Sequence, residues 1–256
     1  MYLGSKGLWE CLKNSCNDMK LVSIIIPTFN EEDFILTTLK SVIDQKIGKY
    51  KKEIIVIDDG STDDTCNIIG KFVKSKKISL KLLINKSNIG KSASLQKGFM
   101  ASKGDIVIIQ DADLEYSPKD YPLLLQPFIE VKADVVYGSR FVSHAPHRVL
   151  YFWHSLGNNI LTLLSNIATN LNLTDMETGY KVFRGDLIRK IAPKLTSSHF
   201  GFEPEITARI AKIKGIRIYE VGVSYSGRTY AQGKKIRWHD GVKAVYEILK
   251  YNYFKS

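Results

Sequence analysis

The feature that most constrains this chain is an alternation in its first half. Short apolar runs are each followed by a polar turn and then by a stretch with helical apolar spacing. Val22–Ile26, Glu53–Ile57, Leu80–Ile84 and Ile106–Ile109 read as strands, with Asp134–Tyr137 as a fifth. Apolar runs this short suit strands covered on both faces. Between them, Ile35, Leu39, Val42 and Ile43 share one face of a helix over Glu31–Gln45. Ile68, Ile69, Phe72 and Val73 repeat the spacing, and a further helix begins near Lys91. The expected class is α/β, a mostly parallel central sheet with helices on both faces. Ligands of such sheets collect at the carboxyl ends of the strands, where the polar residues of this chain also fall.

The second half has another character. Val149–Thr174 carries no formally charged side chain, while Leu156, Ile160, Leu163, Leu164 and Ile167 form a helical stripe, expected to pack internally against the sheet. Gly201–Ile213 reads as a helix and Ile216–Val223 as a strand. A basic loop, Gly227–Arg237, leads to a last helix with Val242, Val245, Tyr246 and Leu249 on one face. No repeat or low-complexity linker divides the 256 residues, so one unit over 21–240 is expected, with a C-terminal amphipathic helix over 241–256. Met19 directly precedes the first strand, and residues 1–20 read as a dispensable extension.

Three cysteines, Cys11, Cys16 and Cys66, are too few for a disulfide framework and fit a reducing compartment. No run approaches the roughly 18–20 apolar residues of a membrane span, and the N-terminus lacks the apolar core of a secretory signal, so a cytoplasmic protein is expected. The 37 basic and 26 acidic residues leave a net charge of +11, which favours encounters with anions without choosing among nucleic acid, lipid headgroups and phosphorylated small molecules.

The strongest chemical signal is Asp111-Ala112-Asp113, directly after a strand. Residues two apart in extended backbone point the same way, so both carboxylates can face one hard cation such as Mg²⁺ or Mn²⁺, with Glu115 as a third contributor. Pro27-Thr28-Phe29-Asn30-Glu31 and Asp58-Asp59-Gly60-Ser61 follow neighbouring parallel strands and should meet. A carboxylate there can accept hydrogen bonds from a base or ribose, and an aromatic ring can flank the base. Asn88-Ile89-Gly90-Lys91 opens a helix and suits a phosphate or ribose, although it has neither P-loop nor Gly-x-Gly-x-x-Gly spacing. His144-Ala145-Pro146-His147 lacks a third ligand and reads as a surface loop.

This constellation resembles the family 2 glycosyltransferases of GT-A fold, and within them the dolichyl-phosphate mannose and glucose synthase branch. The matching blocks are Ser23–Glu31, Ile55–Thr65, Asn88–Lys91, Asp105–Glu115, Gly138–Phe141, Thr178–Arg184 and Phe202–Arg209, spread over nearly the whole chain; Phe29 departs from the usual tyrosine. The resemblance implies a Rossmann-like nucleotide half followed by an acceptor half. Pro27, Phe29, Glu31 and Asp58 would hold base and ribose, with Lys91 and Asp111 also on the nucleotide. Asp111, Asp113 and Glu115 would bind the divalent cation. Asp113, Arg140 and Arg228 would carry catalysis, and Arg140, Arg148, Ser155, Glu205, Arg228 and Lys234 would line the acceptor side.

The activity so implied is hexose transfer from a UDP- or GDP-linked donor to a polyprenyl or dolichyl phosphate, with inversion, by an enzyme peripheral on the cytoplasmic membrane face or held by a separate membrane protein. An anionic phosphate acceptor needs cations and no general base, whereas a saccharide or protein hydroxyl would need a carboxylate, with Glu205 the candidate. That hydroxyl acceptor, as in polysaccharide or cell-envelope synthesis, is the first alternative. A basic nucleic-acid-binding protein is the second, opposed by the absence of any nucleic-acid motif.

Overall fold

The computed structural model describes residues 21–76, 79–142, 149, 151–197, 201–227 and 238–254. Residues 1–20, His144, His147, Arg148, Arg228 and Lys234, singled out above, lie outside them.

The strands are β1 (Leu21–Thr28), β2 (Lys51–Asp58), β3 (Leu80–Ile84), β4 (Ile106–Ile109), β5 (Val135–Ser139), β6 (Lys181–Arg184) and β7 (Ile218–Gly222). The helices are α1 (Ile35–Asp44), α2 (Thr65–Lys76), α3 (Lys91–Ala101), α4 (Tyr121–Glu130), α5 (Phe152–Thr169), α6 (Gly185–Ile191), α7 (Phe202–Ala211) and α8 (Trp238–Leu249). The described strands form one sheet in the order β3-β2-β1-β4-β6-β5-β7. Pairing is parallel except at β6, which runs antiparallel to both β4 and β5. The α/β class with a mostly parallel sheet is therefore the fold. β6 is the element the alternation does not announce.

Alternate residues of each central strand feed two cores. Val22, Ile24 and Ile26 pack with Leu39, Phe72, Tyr121 and Phe128, from α1, α2 and α4 on one face. Ile25, Ile55 and Ile57 pack with Phe99, Ile188, Ile206 and Ile248, from α3, α6, α7 and α8 on the other. β1 continues through Pro27 to Thr28, in register with Asp58 of β2.

The expectation that α5 packs its apolar stripe inward is overturned for most of the stripe; of its members, Leu164 packs against the core. Trp153 is 78% exposed, Leu163 59% and Ile167 68%, with Phe152 and Ile160 also exposed, while Asn158, Thr162 and Ser165 are buried. The buried polar face is satisfied by the segment that follows it. Asn166 exchanges two hydrogen bonds with the Leu173 backbone (2.8 and 3.0 Å), and the Met176 N–H donates to Thr162 Oγ1 at 3.2 Å. On the last helix Val242, Tyr246 and Leu249 are likewise exposed, while Ala244 and Ile248 are buried. α5 and α8 pack side by side.

At the start of β5, the Asp134 carboxylate accepts hydrogen bonds from Arg184 (2.5 Å) and Arg217 (2.9 and 3.0 Å). Burial opposes its charge, but the bonds from Arg217 and the charge of Arg184 leave its pKa below the usual value. A depressed folded-state pKa contributes stability above the unfolded value, about 3.9, that is lost as pH falls through the folded value. Asp134→Asn should therefore lower stability at pH 7 by about 1 kcal/mol, because solvent reaches both arginines. The gap from the wild type should narrow as pH falls below the usual carboxylate range, as read by urea titration at pH 7 and pH 3.

Candidate functional site

The turns after β1, β2, β3 and β4 meet above the carboxyl ends of the strands, and short polar side chains join them. Asn30, in left-handed conformation at φ 51°, takes a hydrogen bond from Thr62 N–H (2.9 Å) and donates its own N–H to Ser61 Oγ (3.0 Å). Asp59 accepts from Asn85 Nδ2 (2.7 Å), Ile89 N–H (3.1 Å) and Gly90 N–H (2.8 Å), which fixes the turn into α3. Gly60 has φ 72°, and a Cβ on it would lie 2.6 Å from the Ser87 backbone, so only glycine fits there.

After β4, the buried Gln110 side chain donates to the carbonyls of Asp111 (3.0 Å) and Tyr116 (3.3 Å) and accepts from the hydroxyls of Tyr121 and Tyr180. This hub anchors the acidic turn. Within it, Leu114 is left-handed at φ 63°, and the Glu115 N–H donates to Asp113 Oδ1 at 3.1 Å.

Together these turns wall a cavity of about 460 Å³. Of the residues singled out from the sequence, Pro27, Phe29, Glu31, Lys91, Asp111, Asp113, Glu115 and Arg140 are on its wall. Asp58 is not: its carboxylate accepts from Ser61 Oγ (2.6 Å) and N–H (3.2 Å), and Asp59 lines the cavity instead. Ser155, on α5, is also off the wall.

Glu205 is corrected outright. It is fully buried and accepts from the backbone N–H groups of Thr196 (3.0 Å) and Ser197 (2.7 Å) and from Arg209 Nε (2.9 Å), so it fastens a loop to α7. Two positions on a helix are about 200° apart, so Glu203 faces the cavity and Glu205 faces away.

Arg140 is held differently from a free phosphate fork. Its Nε and one terminal nitrogen each lie 2.7 Å from the two Asp175 oxygens, and its backbone N–H bonds the same carboxylate. The guanidinium stacks over the Tyr225 ring at 5.2 Å. Burial would lower its pKa; Tyr116 and Asp175 more than reverse that and hold it charged.

Lys91, at the first turn of α3, reaches Asp111 Oδ1 at 3.0 Å and Glu203 at 3.2 Å. Burial alone would lower its pKa, but the two carboxylates raise it above the usual value. Asp111 thus already holds a cation. Two hard carboxylate donors on a strand end, one with an ammonium against it, fit a divalent ion whose remaining ligands come from a bound substrate. Among the described residues no three acidic, His or Cys groups form a ready metal cluster, and Glu115 is engaged by the Tyr225 hydroxyl at 2.9 Å.

Glu177 and Lys181, not singled out from the sequence, also belong here. Glu177 lines the cavity, and burial, then Glu203, push its pKa up. Lys181 is fully buried, its ammonium donates to the Thr178 carbonyl, and burial lowers its pKa. Lys181 lies within the Thr178–Arg184 block and Glu177 directly precedes it, which was the signal in the sequence for either.

The model of the family described as Glycosyl transferase family 2 matches residues 23–192. An uncharacterized protein of Methanocaldococcus jannaschii is 31% identical over 83% of this chain and 93% of its own length. A dolichyl-phosphate beta-glucosyltransferase of Dictyostelium discoideum is 29% identical over 84% of this chain and 68% of its own. The glucosyl-3-phosphoglycerate synthase of Mycobacterium tuberculosis, solved with Mn²⁺, UDP and phosphoglyceric acid, superimposes with a TM-score of 0.69 at 19% identity, over 94% of this chain and 81% of that one. That last likeness is one of fold.

Gly179 makes the site sensitive to one methyl group. A Cβ there would collide with the Asp111 carboxylate and lie 2.8 Å from the Tyr116 ring. Gly179→Ala should cost about 1–3 kcal/mol through overpacking, read as a lowered denaturant midpoint. An unchanged midpoint would show that the acidic turn can yield.

Proposed function

We propose that this chain, which belongs to glycosyl transferase family 2, transfers a hexose from a nucleotide-sugar to a polyprenyl phosphate at a membrane surface. Sugar transfer from a nucleotide-linked donor is the activity of the family. The lipid acceptor is the further step.

In this reading Pro27, Phe29, Glu31 and Asp59 take the base and ribose, the nucleotide role first given to Asp58. Asp111 and Asp113 hold Mg²⁺ or Mn²⁺, with Glu115 behind them. The cavity wall carries seven carboxylates, Glu31, Asp59, Asp111, Asp113, Glu115, Glu177 and Glu203, against two cations, Lys91 and Arg140. A diphosphate placed there would be repelled without a further cation. The metal, when bound, supplies charge stabilisation to the departing nucleoside diphosphate. Lys91 is placed to share that charge and is paired with Glu203. Arg140, steered by Asp175, presents a fixed positive charge beside Tyr225 for the acceptor phosphate, with Arg148, Arg228 and Lys234 as further candidates from outside the described residues.

The observation that carries the lipid acceptor is the reversed α5. Its polar face touches the cavity scaffold through Asn158 Nδ2 and Asp175 Oδ1 (3.5 Å), the carboxylate that holds Arg140. Its opposite face offers Trp153, Leu163 and Ile167 to the surroundings, beside exposed Val242, Tyr246 and Leu249 on α8. The chain entering α8 carries Arg228, Lys234, Lys235 and Arg237, and net charge is +11. An apolar face with basic residues close in sequence suits an anionic bilayer surface, at about 1 kcal/mol per basic residue near the headgroups. No helix among the described residues is long and apolar enough to cross a membrane. In this proposal the catalytic unit spans 21–240, and the exposed side of α8 belongs to this face.

A second reading, transfer to a hydroxyl, is favoured by Glu203, a carboxyl group on the cavity wall where a base would be required.

The test is nucleoside diphosphate release from a panel of UDP- and GDP-sugars with Mg²⁺, Mn²⁺ or EDTA, offering polyprenyl phosphate or the matching polyprenol. Transfer to the phosphate alone, lost in EDTA, is expected; equal transfer to both would transfer the acceptor role to hydroxyl chemistry and make Glu203 the base. Separately, Trp153→Ser with Leu163→Ser should weaken binding to phosphatidylglycerol vesicles at least tenfold, since each buried side chain contributes about 1.5–3 kcal/mol. Undiminished vesicle binding in flotation would remove the membrane face.

A further inference from the structure

The Asp175–Tyr180 segment is fastened at nearly every residue except one. Asp175 holds Arg140, and Met176 N–H bonds Thr162. Thr178 Oγ1 donates to the Gly138 carbonyl at 2.5 Å, and Gly179 N–H donates to the Tyr116 hydroxyl at 2.8 Å. Glu177 stands apart: it lines the cavity, and its Oε1 is closed off from water with no hydrogen-bond partner. A carboxylate oxygen left so is costly, and native structures seldom keep one without a use. Its surroundings exclude two uses. The acidic turn that suits a metal lies across Gly179, against the Asp111 carboxylate, and Glu177 is not part of it. The base and ribose side of the cavity, at Phe29, Glu31 and Asp59, is built from the turns after β1 and β2.

What remains at this end, with Glu203 and Arg140, is the space beyond the diphosphate. The group that must sit there is the sugar, a dense array of hydroxyl donors. We infer that Glu177 accepts hydrogen bonds from hydroxyls of the transferred sugar and so sets which hexose the enzyme uses. This rests on the nucleotide-sugar reading above. Glu177 is thus a specificity residue: the protein leaves its Oε1, an acceptor in either protonation state, unpaired until a sugar hydroxyl supplies the donor. A site that leaves a polar group unpaired unless the correct hydroxyl is present rejects the wrong epimer strongly.

The experiment is calorimetric titration of the full chain, with Mg²⁺ present, by UDP, GDP and their glucose, galactose and mannose conjugates. The wild type is compared with Glu177→Gln and with Glu177→Asp, which retracts the carboxylate but keeps its charge. Both variants should bind the bare nucleotide within twofold of the wild type. Both should lose roughly tenfold or more in affinity for the preferred nucleotide-sugar, and with it the preference between epimers. Equal losses for nucleotide and nucleotide-sugar would overturn the inference, as would unchanged donor affinity accompanied by lost turnover, the signature of a base. A wild type that binds neither UDP nor GDP would instead overturn the donor reading itself. Glu177→Gln keeps the size of the side chain and removes a group whose ionisation burial opposes, so its melting temperature should equal or exceed the wild type's.

Discussion

Everything at the site follows from three adjacent parallel strands, of which β1 and β2 end at one level and β4 three residues short of it. β1 pairs with β2 so that Thr28 lies against Asp58, and with β4 so that Ile25 lies against Ile109, the Gln110 N–H closing the ladder on the Ile25 carbonyl. Strands in that register release their chains into the same small space. The backbone groups freed there lie at the edge of a core of Ile24, Ile26, Ile55 and Ile57 and must be satisfied locally. Asn30 and Asp59 do so by tying their turns to a neighbour's, and Gln110 by bracing its own. The wall is therefore rigid before any ligand arrives, which is what a transfer reaction needs from the groups that position its substrates.

Much of this was legible in the chain itself. The strand runs are β-branched and apolar, so their positions were fixed within one or two residues, and the acidic triplet stands at a strand end because β4 stops at Ile109. What was not legible depends on partners remote in sequence. β6 is four residues of mixed polarity, and its insertion between β4 and β5 is decided by pairing. Asp58 and Asp59 are adjacent and chemically alike; which one faces the cavity is set by the Ser61 turn, which claims the first. Glu203 and Glu205 differ only by helical phase. Glu177 has no motif, and its unpaired oxygen exists only once Asp175, Thr178 and Gly179 are pinned around it.

The helix α5 shows the same limit in reverse. Periodicity located its apolar stripe correctly, but the rule that apolar means inside failed. Leu173, Asp175 and Met176 return along its polar side and pair with Asn166, Asn158 and Thr162. A polar face can be buried when every group finds a partner, and here the partners come from the chain that also builds the cavity.

That inversion has a consequence for how the sequence can drift. In most helices of a globular domain, the apolar positions are the slow ones and the polar positions vary freely. Along α5 the order should be exchanged. Asn158, Thr162 and Asn166 each answer a specific donor or acceptor and tolerate little change, whereas Ile160, Leu163 and Ile167 are held only to greasiness, and any bulky apolar side chain would serve. Orthologues should therefore keep the small amides and hydroxyls of this helix and shuffle its hydrocarbons.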